Sequence, residues 1–129
     1  MPHAYEWAIL RVVPRVERCE FVNVGVLVYC QGLDYLAAEV TADLSRAVVL
    51  DPSLDVETVR RHLEGIRALC AGEPGSGENG RRPRGDRFRW LVAPRSTVVQ
   101  PSPVHTGLTD SPAGSLAELF AQMVAPSRS

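Results

Sequence analysis

The sequence predicts one α+β domain: an antiparallel sheet of about five strands with two main helices packed on one face. Three observations carry this. Residues 5–40 hold three β-rich runs joined by short polar links, the pattern of an antiparallel meander. Residues 55–71 and 112–124 each repeat apolar side chains at helical spacing. The chain has 129 residues, one ordinary domain able to bury about two-thirds of its unfolded surface. Residues 1–129 are therefore read as a single domain, with a flexible Gly/Pro/Arg-rich loop at 72–85.

Tyr5 to Val13 reads as the first strand. Tyr5, Trp7, Ile9, Arg11 and Val13 would share one face, and Ala8, Leu10 and Val12 the other. Both faces are mostly apolar, which places this strand inside the sheet. Pro14 ends it, because proline cannot donate to a ladder. Val22 to Cys30 is the second strand. Val22, Val24, Val26, Val28 and Cys30 would form one apolar face, with Asn23, Gly25, Leu27 and Tyr29 on the other. Gln31-Gly32 turns the chain into a third strand, Asp34 to Val40.

Residues 43–50 read as a short helix. A longer one starts at Asp55, whose carboxylate can accept from the free amides of the first turn. Leu54 and Val59 stand at the positions of a hydrophobic staple. Val56, Val59, Leu63, Ile66 and Cys70 make its apolar stripe. Gly65 in the interior costs about 1 kcal/mol relative to alanine, and Gly72 ends the helix. Phe88, Trp90 and Val92 alternate with Arg87, Arg89 and Leu91, which predicts a half-buried strand. Thr97 to Gln100 is a short strand after it. The segment from Pro101 to Gly107 reads as irregular. Ser111-Pro112 opens the last helix as a cap followed by proline, with Leu116, Leu119, Phe120, Met123 and Val124 on its apolar face.

Composition narrows the function classes. Hydrophobic residues make up 45%, charged residues 22%, and the net charge is −1. This is a soluble globular profile, and it argues against a protein built to coat nucleic acid. There is no apolar run of about 18 residues, so no membrane span is expected. The opening residues Met1 to Glu6 lack a basic segment followed by an apolar one, so a cytoplasmic location is expected. Cys19, Cys30 and Cys70 are odd in number and widely spaced, which predicts reduced buried thiols. The 14 basic residues are all arginine; without lysine, Schiff-base chemistry and a P-loop are excluded.

Several motifs have ordinary explanations. Gly75 to Gly80 matches G-x-G-x-x-G, but a helix precedes it where the dinucleotide fingerprint needs a strand. Arg81, Arg82, Arg84, Arg87 and Arg89 lie near Phe88 and Trp90, yet the aromatics would face the core and the arginines water. The histidines His3, His62 and His105 have no metal-ligand spacing, and His62 flanks the apolar stripe of its helix.

Two segments look specified. In Glu20 to Val26, Asn23 and Gly25 interrupt a strand of strong β formers; glycine there admits a close neighbour, either a ligand or packed backbone. In Trp90 to Pro103, the side chains of Arg95, Ser96, Thr97 and Gln100 concentrate on a proline-stiffened ribbon and could converge on an anion. These two blocks, with Tyr5-x-x-Ala8-Ile9-Leu10-Arg11-Val12-Val13-Pro14, resemble the bacterial family known as domain of unknown function 3037, from about Tyr5 to Val124. The resemblance carries no catalytic residues. It implies an accessory role beside a HipA-like kinase.

The expected function is a cytoplasmic binding or accessory module for a protein partner, needing no cofactor, and the resemblance implies that this partner is a HipA-like kinase. Its expected contact site is Arg11, Asn23, Gly25, Arg95, Ser96, Thr97 and Gln100, with Arg95 clamping a small anion. That site requires the Asn/Gly strand and the Arg/Gln ribbon to be neighbours. An exposed sheet edge could also pair two copies. The alternative is a small enzyme acting on a phosphate-bearing or nucleic-acid substrate. His105 would then be acid/base, Glu20 would assist, and both would share a cleft with Arg95.

Overall fold

A computed structural model describes residues 1–95 and 97–125. Its strands are β1 (His3–Val12), β2 (Val22–Cys30), β3 (Tyr35–Val40), β4 (Val99–Pro101) and β5 (His105–Thr109). Its helices are α1 (Ser45–Leu50), α2 (Val56–Ala71), α3 (Arg84–Leu91) and α4 (Pro112–Met123). The sheet runs β3-β2-β1-β4, and β5 also pairs with β1. Every pairing is antiparallel. The α+β class and the five-stranded antiparallel sheet are as expected.

β1 is the central strand because both of its faces are apolar. Leu10 and Val12 point into one core with Leu27, Tyr29, Val59, Leu63, Phe88 and Val99. Ile9 points into a second core with Val26, Val28, Leu116 and Leu119. α2 and α3 therefore cover one face and α4 the other. This corrects the expected packing of both main helices on one face: a sheet that is apolar on both sides needs cover on both.

The face assignment of β2 is also corrected. Leu10 pairs with Gly25 while Arg11 pairs with Asn23, so Val24 is an extra residue, a β-bulge. Beyond a bulge the alternation shifts by one. Val24 joins Leu27 and Tyr29 on the α2 side, while Val26 and Val28 face α4. Gly25 sits where a Cβ would stand 3.0 Å from the Glu39 carbonyl oxygen and 3.1 Å from Leu10 Cδ1.

The expected strand around Phe88 is instead α3. Phe88 and Leu91 bury together at helical spacing, with Arg87 beside them. Arg87 Nη1 donates to the carbonyls of Leu69 at 2.8 Å and Cys70 at 3.1 Å. It thereby serves the last turn of α2, where Gly72 takes a left-handed φ of 69°. The Gly-rich stretch before α3 carries two 3-10 turns, Pro74–Ser76 and Glu78–Arg81.

The segment read as irregular contains β5. β4 and β5 form one interrupted ribbon along the same edge of β1. At the break, the Ser102 amide donates to the Ile9 carbonyl at 2.7 Å. The Ile9 amide donates to Ser102 Oγ at 2.8 Å. Of the cysteines, Cys30 and Cys70 are buried, but Cys19 is exposed. Burial pushes the Cys70 thiol up to about 12. Among the described residues no helix is long and apolar enough to cross a membrane.

Candidate functional site

The topology brings part of the expected site together. β1 lies between β2 and β4, so Arg11 has Asn23 directly across on one side and Gln100 on the other. Directly paired residues project to the same face. The three side chains thus form a row across three strands on the α4 side. The Asn/Gly strand and the Gln100 end of the ribbon therefore flank β1 on its two sides, whereas the Arg95 end of the ribbon does not join them.

Arg11 is half-buried, and its guanidinium lies 4.1 Å from the centre of the Phe21 ring. This is a cation–π contact on a ring that is itself 47% exposed. Among the described residues no carboxylate pairs with Arg11. Its Nε and the Asn23 Oδ1 are buried without a partner. Asn23 Nδ2 donates to the Met123 carbonyl at 3.2 Å, tying the row to the last turn of α4. Gln100 Nε2 donates to the Thr97 carbonyl at 2.8 Å.

α4 lies against β2 and β3, so the β1–β5 half of this face is only partly covered. There Trp7 stacks on exposed His105, with ring centroids 4.4 Å apart. Tyr5 lies over Gly107, where its Cε1 would be 2.8 Å from an added Cβ. Tyr5 and Trp7 with His105 thus lie along the same face of β1 as Arg11 with Phe21, with buried Ile9 between them. Tyr5, Trp7, Phe21 and His105 were not nominated from sequence as parts of one surface. The alternation of Tyr5, Trp7, Ile9 and Arg11 along one strand face marks the first two of these, and nothing local in the sequence places Phe21 and His105 beside them.

The remaining expected residues lie elsewhere. Gly25 faces the α2-side core, and its smallness is accounted for by packing against Leu10 and Val40. Thr97 is exposed and its Oγ1 donates to the Val99 carbonyl at 2.7 Å. Ser96 lies outside the described residues.

Arg95 turns to the other side of the molecule. Its guanidinium sits 4.9 Å from the centre of the Trp90 ring. Its Nη2 donates to the Trp90 carbonyl, and its Nε to the Ala93 carbonyl at 3.2 Å. It lines a groove of about 330 Å³ between α2, α3 and the 3-10 turns. Burial first, and the charge of Arg95 second, hold the His62 imidazole below its usual range.

The arrangement needed by the enzyme alternative is not formed. His105 stacks on Trp7 on the α4 side, and Arg95 lies in the α2–α3 groove. Glu20 accepts from Arg18 Nε at 2.8 Å. Among the described residues no group of three or more His, Cys, Asp or Glu could hold a metal ion.

No curated protein and no solved structure matches the chain. A family model described as "Protein of unknown function (DUF3037)" matches residues 7–124. The match takes in Arg11, Asn23, Gln100 and α4, and the chain belongs to the DUF3037 family.

Proposed function

We propose that the chain is a binding module for a protein partner, docking through the strip from Tyr5 and Trp7 to Arg11. The observation that carries this is Arg11: a half-buried cation backed by Phe21, with no acidic partner among the described residues. Burying an unpaired charge is unfavourable, so the arginine is poised to take a carboxylate from outside. The flanking amides of Asn23 and Gln100 add polar contacts beside it. Tryptophan, tyrosine and arginine are also the side chains that most often carry interface binding energy.

The partner to test first is a HipA-like kinase, which would present an acidic side chain to Arg11. Purified chain and kinase are mixed and their affinity is measured by interferometry. Arg11→Glu and Phe21→Ala are expected to weaken binding about tenfold or more, with unchanged circular dichroism. Wild-type affinity in both variants would reject this surface. No binding of the unsubstituted chain would reject the partner.

A further inference from the structure

We propose that the groove between α2 and α3 is a separate binding site for a small planar anion, with Arg95 holding the acid group and Trp90 flanking the ring. The floor is apolar: Ile66, Leu69 and Leu91 are buried beneath it. Trp90 stands 49% exposed at the wall, an unusual position for the largest apolar side chain. Arg95 lies against that ring, fixed by two backbone carbonyls. Among the described residues no carboxylate neutralises it. The volume, about 330 Å³, is at the lower end of small-molecule sites, which run from roughly 300 Å³ upward.

Gly65 supplies an independent argument. It lies inside α2, where glycine weakens a helix. Packing does not require it, because an added Cβ would meet nothing within 4 Å. That open space is the groove itself, since Gly65 is one of the lining residues. A side chain at this position would stand where a ligand ring would lie. The glycine keeps the groove open at the expense of the helix.

The charge selects the ligand class. A neutral aromatic would leave the Arg95 guanidinium uncompensated. A carboxylate or phosphate can accept its remaining N–H groups, while the attached ring covers the apolar floor. The site lies on the face opposite the Arg11 strip, so both surfaces can be occupied at once.

The probes are naphthoate and its uncharged amide, followed by amide chemical shifts in NMR titrations. Naphthoate is expected to shift resonances of α2, α3 and the Trp90 indole. The amide should bind about tenfold more weakly or worse, the effect of one charge-assisted hydrogen bond. Arg95→Gln should remove that preference for the acid. Gly65→Leu should abolish binding of both probes while raising the melting temperature, a combination that a purely structural glycine would not produce. Equal binding of acid and amide, shifts outside the groove, or undiminished binding by Gly65→Leu would each overturn the proposal.

Discussion

Replacing Ser102 by alanine isolates the one side chain that completes the sheet at its interrupted edge. β5 pairs with β1 from His3 to Trp7, and β4 pairs with it from Leu10 to Val12. Ile9 falls between, and its buried amide has the Ser102 hydroxyl as acceptor at 2.8 Å. That hydroxyl donates in turn to the Pro103 carbonyl at 2.8 Å. Ser102 is only 3% exposed. In Ser102→Ala the Ile9 N–H loses its acceptor, and an orphaned buried donor costs about 1–3 kcal/mol. At this chain length 1 kcal/mol moves the melting temperature by roughly 3–5 °C, so a loss of about 3–15 °C is expected. Urea denaturation followed by tryptophan fluorescence measures the free energy, and hydrogen exchange at the Ile9 amide reports the local cause. Thr106→Val, which removes from the same ribbon an exposed hydroxyl that has no hydrogen-bond partner among the described residues, is the control and should change stability by about 0.5 kcal/mol or less. If Ser102→Ala proves as stable as the control, or if Ile9 exchanges no faster, the hydroxyl does not complete the ladder.

Gly25→Ala should destabilise by about 1–3 kcal/mol through overpacking, because its Cβ would press on the Glu39 carbonyl oxygen at 3.0 Å, which cannot yield like a side-chain tip. A melting temperature equal to wild type would remove the packing account of this glycine. Arg87→Met should cost about 2–3 kcal/mol, since the Leu69 and Cys70 carbonyls lose a charged donor in a buried setting; α2 amides near Gly72 should then exchange faster, and their unchanged protection would count against it. His62 is expected to titrate below the ordinary histidine range in NMR, owing to burial and then Arg95. Because its folded pKa is depressed, the unfolded chain takes up the proton first, so stability is full above the unfolded pKa and falls as pH drops through it toward the folded value. Arg95→Gln should raise the His62 pKa; no movement would remove Arg95 as a cause of the depression.

The elements easiest to read in the sequence were those specified by local chemistry. The Asp55 cap accepts from the Thr58 amide at 3.2 Å, and Ser111 Oγ accepts from Gly114 at 3.1 Å. Both helix starts follow from residues adjacent to them. α3 was misread because Phe88, Trp90 and Val92 alternate as in a strand, while the spacing of Phe88 and Leu91 fits a helix equally well. Only the buried fit of Phe88 against Tyr29, with rings 5.3 Å apart, decides between them. β5 escapes notice in the sequence because it follows Pro101 and Pro103 closely and carries a glycine and two threonines, residues that signal a loop but are tolerated in an edge strand.

Side-of-sheet relations were the least legible. The Val24 bulge redistributes the valines of β2 between two cores, and nothing in a run of valines marks the extra residue. The site divided for a related reason. Arg11, Asn23 and Gln100 meet because strand pairing brings them together, whereas Arg95 still belongs to the helical layer. Its closeness to Gln100 in sequence says nothing of the turn between them.

The seam closed by Ser102 also bears on how the molecule assembles. Its hydroxyl meets a backbone amide 93 residues earlier in the chain, whereas β1, β2 and β3 are joined by short links. Contacts across long stretches of chain bear a larger closure entropy and tend to form slowly. Pulse-labelled exchange during refolding should therefore find the β1–β2 amides protected before those of β4 and β5. Simultaneous protection would mean that the edge ribbon belongs to the nucleus rather than to the final closure.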